Sequence, residues 1–420
     1  MLETFKNAWR IEEIRKKILY TLLMLFILRI GSSLIPVAGV NASAVKDMVG
    51  QYDILNFLNM LTGGSFANFT IFAVGISPNI TASIVIQLLT FAIPALEKIA
   101  KEGGEEGREK MQQYTRYLGL VLAFVMSIGM VLSLQTALVS KDFLSLATIV
   151  LSLVGGSMIV NWLADNITEK GIGNGMSLVI FIGIISSLPW YVIDLFTNIG
   201  QQTVSTWSLV PIVLIAVVLI AGVVFVDSGE RRIPVQYAKR VVGRKMYGGQ
   251  STHIPMKLNS AGVLPIIFAS TLLQFPAMIA QFWPESGFSI WYNANMHSGS
   301  IPYLILFAFL IVALGFFYNM VAFNPAEVAK NLQQYGGFIL GIRPGRPTSD
   351  YLARISSRLT FFGGCFLAIL ATVPTMIAGL MGVRMALQAT GLLICVSVAL
   401  ETTKQLESQM LMRHYRGFLK

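Results

Sequence analysis

Two apolar segments of this chain carry amide and hydroxyl side chains at related positions. They are Asn79, Thr81, Ser83 and Gln87 in residues 75–87, and Ser270, Thr271 and Gln274 in residues 262–274. Inside a membrane such groups form hydrogen bonds between helices, each worth only about 0.6 kcal/mol on average. Their chemistry is therefore reversible adhesion. They predict either ordinary helix–helix contact or a seam that a competing apolar helix can open toward lipid.

The two segments repeat one pattern, set 187 positions apart. Six of their thirteen positions are identical, including a Gly at the start, a Pro three residues later and a Gln at the end. Corresponding Gly/Pro-interrupted segments in two halves of a membrane protein point to its transport path. The alternative is chance self-similarity of apolar sequence, although Gly, Pro and Gln are not the filler residues of such runs.

Composition excludes a soluble protein. Of the 420 residues, 55% are hydrophobic and 12% are charged, whereas soluble domains carry about 25% charged residues. The sequence contains no G-x-x-x-x-G-K-[ST] nucleotide motif, no H-E-x-x-H metal motif and no paired-cysteine motif. We therefore expect no enzymatic activity, no cofactor and no metal site, and any energy for transport must come from a partner or a gradient.

Ten apolar segments approach the ~20 residues that a membrane-spanning helix needs. They lie near residues 18–37, 76–96, 114–135, 144–165, 176–197, 207–226, 260–283, 302–323, 359–381 and 385–404. Residues 1–17 mix basic and apolar side chains and predict a short amphipathic helix on the membrane surface. The charged run 101–110 predicts a solvated loop. These spans define an all-α polytopic membrane protein.

Residues 52–75 contain an apolar stretch that is too short to cross a membrane and that ends at Gly63-Gly64. Irregular backbone cannot face lipid at depth, so such a piece is either outside the membrane or enclosed by protein. We interpret residues 52–75 as a re-entrant, plug-like segment. An ordinary external loop is the alternative.

The distribution of basic residues orients the chain. With a cytosolic N-terminus, 27 of the 31 Lys and Arg residues fall in cytosolic segments, three fall outside, and Arg29 lies in span one. This bias places both termini in the cytosol. The repeat copies, in spans two and seven, then run in opposite directions. We expect two halves related by inversion: residues 1–200 (spans one to five, with the plug 52–75) and 201–420 (spans six to ten, with cytosolic loops 227–259 and 324–358).

Ionisable residues are scarce within the spans. Spans two, three, six, seven, eight and nine contain no Asp or Glu, whereas ion-coupled carriers need such groups at depth. This argues against a secondary transporter with inverted repeats and leaves a passive or protein-partnered path, or a membrane scaffold with no path. Arg29 is expected to reach the membrane surface or to contact protein.

The two long cytosolic loops are basic. Alternating apolar and charged residues around Gly248-Gly249 predict a hairpin that projects from the membrane. Such loops could bind anionic lipid, nucleic acid or an acidic protein surface. Anchoring by positive charge alone does not explain their length, which favours docking of a partner.

Motifs along most of the chain resemble the SecY family, the central subunit of the bacterial protein translocase. They include R-I-G-S-S-L-I-P-V-A-G (29–39), N-M-L-T-G-G (59–64), A-S-I-V-I-Q-L-L (82–89), Q-Y-T-R-Y (113–117), I-T-E-K-G-I-G-N-G (167–175), R-R-I-P-V-Q-Y-A-K-R (231–240), G-G-Q-S-T-H-I-P-M-K-L-N (248–259) and G-I-R-P-G (341–345). The resemblance implies an hourglass channel that passes unfolded secretory chains outward and releases apolar segments sideways into lipid.

The resemblance also assigns a pore constriction and a plug. The implied pore ring is Ile76, Ile80, Met176, Ile180, Ile267 and Ile394, with Met176 at a position where the family more often has isoleucine. The implied plug residues are Ile54, Leu55, Phe57, Leu58, Met60, Leu61, Gly63 and Gly64. An apolar ring can close by dewetting without binding a passing chain tightly.

A lateral gate and a docking surface follow in the same way. The implied gate sets spans two and three against seven and eight, with Asn79, Ser83, Gln87, Ser270, Thr271 and Gln274 at its seam. Cytosolic docking would use Arg240, Arg244, Lys245 and Arg343. The implied partners are SecE and SecG, the SecA motor ATPase, the ribosome, signal peptides, unfolded preproteins and membrane lipids. The implied location is the inner (plasma) membrane.

Overall fold

The computed structural model describes residues 6, 8–51, 55, 59–134, 137–200, 209–237, 240–242, 245–247, 251–259, 262–283, 285–297, 299–380 and 386–417. The helices are α1 (Glu12–Leu34), α2 (Ala42–Gln51), α3 (Ser77–Ala92), α4 (Pro94–Glu102), α5 (Gly104–Ser133), α6 (Phe143–Lys170), α7 (Gly175–Gly200), α8 (Leu209–Ser228), α9 (Leu264–Phe282), α10 (Gly287–Asn295), α11 (Ile301–Ala322), α12 (Pro325–Gln334), α13 (Arg346–Leu380) and α14 (Ala386–Gly417). The strands are β1 (Glu230–Tyr237), β2 (Arg240–Val242), β3 (Lys245–Tyr247), β4 (Ser251–Lys257) and β5 (Gly337–Ile339).

A helix occupies each of the ten predicted span positions. In the described part of the chain, five helical stretches are long and apolar enough to cross a membrane, and α3 with α4 would make a sixth if that bent pair is one span. Shorter apolar stretches lie in α7, α8 and α9. The outer faces of the helices expose large apolar side chains that are compatible with lipid, such as Phe225 of α8 at 75% and Phe309 of α11 at 65%. The chain is thus a polytopic helical membrane protein.

Span two ends earlier than predicted. We expected it to run to residue 96, but α3 ends at Ala92 and α4 departs at an angle of 108°. The break lies at Ile93, whose backbone is extended (φ −113°, ψ 109°) because it precedes Pro94.

Two predicted non-membrane segments also differ. The charged run 101–110 is helical rather than a loop, with Glu106 paired to Lys110 one turn on at 2.7 Å. The helix of span one begins at Glu12, inside the predicted surface helix. Ala8, before this helix, and Ile14, in its first turn, pack with Ile172 and Leu406. The start of the chain is therefore held against protein.

The two loops predicted to be cytosolic form a small sheet in the order β4-β1-β5. Strand β1 pairs antiparallel with β4, as the predicted hairpin requires, and with β5 from the second loop. Farther along the first loop β2 pairs antiparallel with β3, with Val242 opposite Lys245. The sheet therefore joins the bases of both loops, with an apolar core shared with α12 and α13.

The main core lies at the centre of the helix bundle. Nine helices contribute buried side chains to this central cluster: α1, α3, α6, α7, α8, α9, α11, α13 and α14. Residues on either side of position 200 meet where α9 contacts α3 and α5, and where α7 contacts α14. A second cluster packs α2 and residues 66–74 against α5 and α6.

Candidate functional site

Both repeated helices begin with the same backbone geometry. Gly75 and Gly262 have φ values of +60° and +61°, a left-handed conformation that glycine adopts without steric cost. The next residues, Ile76 and Val263, are both helical in φ and ψ. A proline follows in each first turn, where a backbone N–H has no helical partner in any case. The identities between the two segments thus encode a shared helix start inside the core.

The six residues of the expected pore ring lie together in the central cluster. Ile76, Ile80, Ile180, Ile267 and Ile394 are at most 6% exposed, and Met176 is partly buried against them. They lie on α3 and its N-cap residue Ile76, and on α7, α9 and α14. Among the described residues, no Asp, Glu, Lys, Arg or His side chain is fully buried. The centre of the molecule is therefore apolar and closed.

We call residues 59–75, the continuous described part of the expected plug, the plug segment. Met60 and Phe72 of this segment belong to the central cluster, whereas Phe66, Phe69, Ala73 and Val74 belong to the second cluster. Met60 is 2% exposed, and Leu61 packs against the central cluster. Leu55 belongs instead to the second cluster. The expected plug residues Ile54, Phe57 and Leu58 lie outside the described residues.

Two glycines let the plug segment lie directly on α7. A Cβ on Gly63 would be 2.9 Å from Gly183 Cα, and a Cβ on Gly183 would be 2.5 Å from the Leu61 carbonyl oxygen. Gly63 and Gly64 both have left-handed φ values, +65° and +90°. A cavity of about 20 Å³, room for one water, borders this contact and is also lined by Leu28, Arg29 and Ser32 of α1 and by Ile76.

Four of the six expected seam residues make hydrogen bonds within their own helices: Ser83, Gln87, Ser270 and Thr271. Gln87 Nε2 donates to Ser83 Oγ at 3.2 Å. The Ser270 and Thr271 hydroxyls both donate to the carbonyl of Ile267, at 2.7 and 2.8 Å, as hydroxyls commonly do in membrane helices. Among the described residues, no hydrogen bond joins the seam residues of α3 to those of α9. A hydrogen bond does cross to α11, where the Gln87 side chain bonds the Tyr318 hydroxyl.

Three amides among the expected seam residues are incompletely paired. In the described structure Asn79 Oδ1, Gln87 Oε1 and Gln274 Nε2 have no hydrogen-bond partner, although Gln274 is only 5% exposed. An unpaired buried polar group costs about 1–3 kcal/mol, so these amides weaken the closed seam.

Asn79 bonds away from the seam. Its Nδ2 donates to Asn161 Oδ1 of α6 at 2.5 Å and approaches Met176 Sδ at 3.9 Å. Asn79 thus ties α3 to α6 and α7. Sequence reasoning did not single out Asn161, although an amide in the middle of an apolar span is a visible signal.

Aromatic side chains, also missed from sequence, close one end of the seam. Phe91 of α3 meets Phe317 of α11 edge to face, with ring centroids 5.0 Å apart. Phe268 of α9 packs on Tyr318 with centroids 5.4 Å apart. Apolar and aromatic packing, together with the Gln87–Tyr318 hydrogen bond, therefore holds α3 against α9 and α11.

Three of the four expected docking residues lie within the described strands and loops of this region. Arg240 and Lys245 belong to β2 and β3 at the far end of the hairpin, and Arg343 is exposed just after β5. Arg244 lies outside the described residues. Pairing of β5 with β1 brings the Arg343 loop beside the base of the hairpin. No group of three or more His, Cys, Asp or Glu among the described residues could hold a metal ion.

The fold and this site define a polytopic helical membrane protein built around a closed apolar centre, the class of the protein-conducting channels. A family model described as SecY matches residues 70–403. The protein translocase subunit SecY of Streptomyces galbus is 42% identical over the full length of both chains, and that of Thermotoga maritima is 39% identical over all of this chain and 98% of its own. The chain belongs to the SecY family.

Solved structures show the same fold at lower identity. A protein-conducting channel aligns with a TM-score of 0.69 and 22% identity, covering 94% of this chain and 92% of its own. Canine Sec61, solved in a ribosome–channel complex, aligns with a TM-score of 0.64 and 19% identity over 94% and 92% of the two chains. Membership of this family favours a channel over the transporter and scaffold alternatives.

Proposed function

We propose that this chain forms the channel through which unfolded secretory proteins cross the membrane and from which apolar segments pass sideways into lipid. The central cluster carries this proposal, because α3, α7, α9 and α14 bring six apolar residues together there and the plug segment packs against them. The centre is the contact between two bundles rather than the interior of one. It can therefore part without unfolding either bundle.

An apolar ring suits a channel that must admit every kind of side chain. When closed, Ile76, Ile80, Met176, Ile180, Ile267 and Ile394 would exclude water and ions by dewetting. When open, they would offer a passing chain no charge or strong hydrogen bond to hold it. The plug segment would seal the same path from one side, and its displacement would accompany opening.

The seam of α3 and α5 against α9 and α11 would be the lateral gate. Its closed state has aromatic contacts but also incompletely paired amides, such as Gln87 and Gln274. An apolar signal segment entering the seam would replace the aromatic packing with its own. The amides would at the same time gain access to water or to the backbone of the entering chain, which favours opening.

The energy for transport would come from partners, since the proposed function is that of a channel and not of an enzyme. Arg240, Arg244, Lys245 and Arg343 would dock the SecA motor or the ribosome on the projecting cytosolic sheet. SecE and SecG would complete the complex around the apolar outer faces. The solved Sec61 neighbour in a ribosome–channel complex supports a cytosolic docking role.

We place the protein in the inner (plasma) membrane with both termini in the cytoplasm, as the distribution of Lys and Arg favours. Residues 1–200 and 201–420 would form two inverted halves. The matching starts of α3 and α9 support this division, because both carry the same glycine conformation and the same proline position.

Transport into vesicles tests the function. The chain would be reconstituted with SecE and SecG, and a preprotein would be followed into a protease-protected state with and without SecA and ATP. Ser83→Cys with Ser270→Cys, oxidised to a disulfide, should abolish transport, and reduction should restore it. Unchanged transport with the crosslink complete would contradict the lateral gate.

A further inference from the structure

Arg29 lies within a membrane helix, and its shortest contact is with the backbone of the plug segment. Its Nη1 donates to the carbonyl oxygen of Gly63 across 2.6 Å and approaches Ser32 Oγ at 3.4 Å. No carboxylate in the described part of the chain lies within ion-pair distance of Arg29. The guanidinium is thus satisfied by neutral oxygens, one of which belongs to the segment expected to move.

The backbone of the plug segment is shaped for this bond. Left-handed φ values at Gly63 and Gly64 turn the chain at this point. A Cβ on Gly63 would lie 2.9 Å from Gly183 Cα and 3.4 Å from Arg29 Nη1, so glycine lets α1 and α7 approach the same residue. This turn therefore lies between the Arg29 guanidinium and the backbone of α7 at Gly183.

A second, weaker link joins α1 to the plug segment. Ser65 Oγ lies 3.4 Å from the carbonyl oxygen of Ser32, and its shorter bond, 2.8 Å, goes to Thr62 within the plug segment. Ser32 and Ser65 are at most 2% exposed. Arg29 therefore supplies the shorter and the only charged bond between α1 and the plug segment among the described residues. Hydrogen bonds with one charged partner are about twice as strong as neutral ones.

We infer that Arg29 is a positioning residue that holds the plug segment in its closed place, and that the same guanidinium becomes a fixed cation beside the path when the plug segment leaves. The bond is made to the main chain, so it does not depend on the side chains of the plug. Arg29 also borders the small cavity lined by α1, α7 and the plug segment, so its guanidinium would face the space that the plug segment vacates. This inference rests on the proposed channel function.

Single-channel conductance in planar bilayers tests it, on the reconstituted complex without preprotein. Arg29→Gln should raise resting conductance about tenfold, because a charge-assisted bond to the plug is lost. Arg29→Lys, which keeps a cationic donor, should stay much closer to the unmodified channel. Lys46→Gln, which removes an exposed cation on α2, is the matched control and should not leak.

We call the contact of Arg29 with the Gly63 carbonyl the latch. Deletion of residues 54–65 distinguishes the loss of this contact from a general effect of the Arg29 substitution on folding. In that background Arg29→Gln should add no further conductance, but it should lower the preference for chloride over potassium measured from the reversal potential. A purely structural arginine would not change ion selectivity.

The failures are distinguishable. If the deletion channel does not conduct, the channel function fails and the latch fails with it. If the deletion channel conducts while Arg29→Gln stays as tight as the unmodified protein, the latch alone is overturned. The latch is also overturned if Lys46→Gln leaks equally or if ion selectivity does not change.

Discussion

Met60 of the plug segment lies against the backbone of Gly391 in α14, one turn before Ile394. A Cβ on Gly391 would be 3.0 Å from Met60 Sδ and 3.4 Å from Ile184 Cγ2 of α7. The plug segment thus reaches the contact between α7 and α14, helices that lie on opposite sides of residue 200 in sequence. Since both helices also supply residues to the expected ring, movement of the plug segment and opening of the centre should be coupled.

A single methyl group added to α7 should disturb the contact between α7 and the plug segment. Gly183→Ala would place a Cβ 2.5 Å from the Leu61 carbonyl oxygen, and backbone on both sides leaves little room to relax. We predict a raised resting ion conductance in planar bilayers without loss of assembled protein. Gly155→Ala on α6 is the matched control, since a Cβ there meets nothing within 4 Å. A Gly183→Ala channel as tight as this control would show that the plug segment does not seal at α7.

The apolar ring predicts a dependence of leak on polarity rather than on size. Ile267→Asn should raise resting conductance at least about tenfold, because a polar side chain stabilises water in a dewetted constriction. Ile267→Val, which stays apolar, should leave the channel nearly closed. The resting conductance of the two variants, measured at several voltages, provides the comparison. Equal leak from both variants would mean that packing volume, rather than dewetting, keeps the centre closed.

The unpaired amide of Gln274 predicts a gate that can be made harder to open. Gln274→Leu removes a buried group without a full set of partners and should stabilise the closed seam by about 1–3 kcal/mol. Transport of preproteins with weakly apolar signal peptides should fall most, and strongly apolar signals should be affected least. Gln112→Leu, at an exposed position on α5, is the control. Faster transport of weak signals by Gln274→Leu would reverse this interpretation of the seam.

The exposed Arg343 loop predicts a partner-dependent defect. Arg343→Glu should reduce SecA-driven transport while leaving resting conductance unchanged, because the residue is exposed just after β5 and lies outside the central cluster. Transport rates and bilayer recordings on the same preparation provide the comparison. Lys141→Glu, also exposed but in an external segment, should leave transport intact. A leak caused by Arg343→Glu would place this loop in the gate mechanism instead.

The sequence predicted the architecture because membrane helices follow local rules. Apolar length located the helices, and the Gly-Pro repeat located the two helix starts that enter the core. The same rules failed where a single proline acted, since hydropathy continues across Pro94 while the chain turns by 108°. Helix ends were also missed, because α13 begins at Arg346, well before its apolar stretch, and α14 continues to Gly417, well beyond its own.

The site was predictable in its members but not in its contacts. Residue types indicated that Ser270 and Thr271 lie at a seam between helices, yet only the structure reveals that both hydroxyls donate to the Ile267 carbonyl. Arg29 was expected to reach the membrane surface or touch protein, and the protein contact is a carbonyl 34 residues away in sequence. Such a pairing depends on backbone direction at Gly63, which sequence spacing does not encode.

The central claim is that the translocated chain passes between the six apolar residues of the ring. Its most direct measurement is crosslinking of a preprotein arrested in transit to single cysteines placed at Ile80, Ile267 and Ile394, with Phe309→Cys on the lipid-facing side of α11 as reference. We predict adducts at all three ring positions and none at Phe309. Adducts at Phe309 with none at the ring would contradict the account.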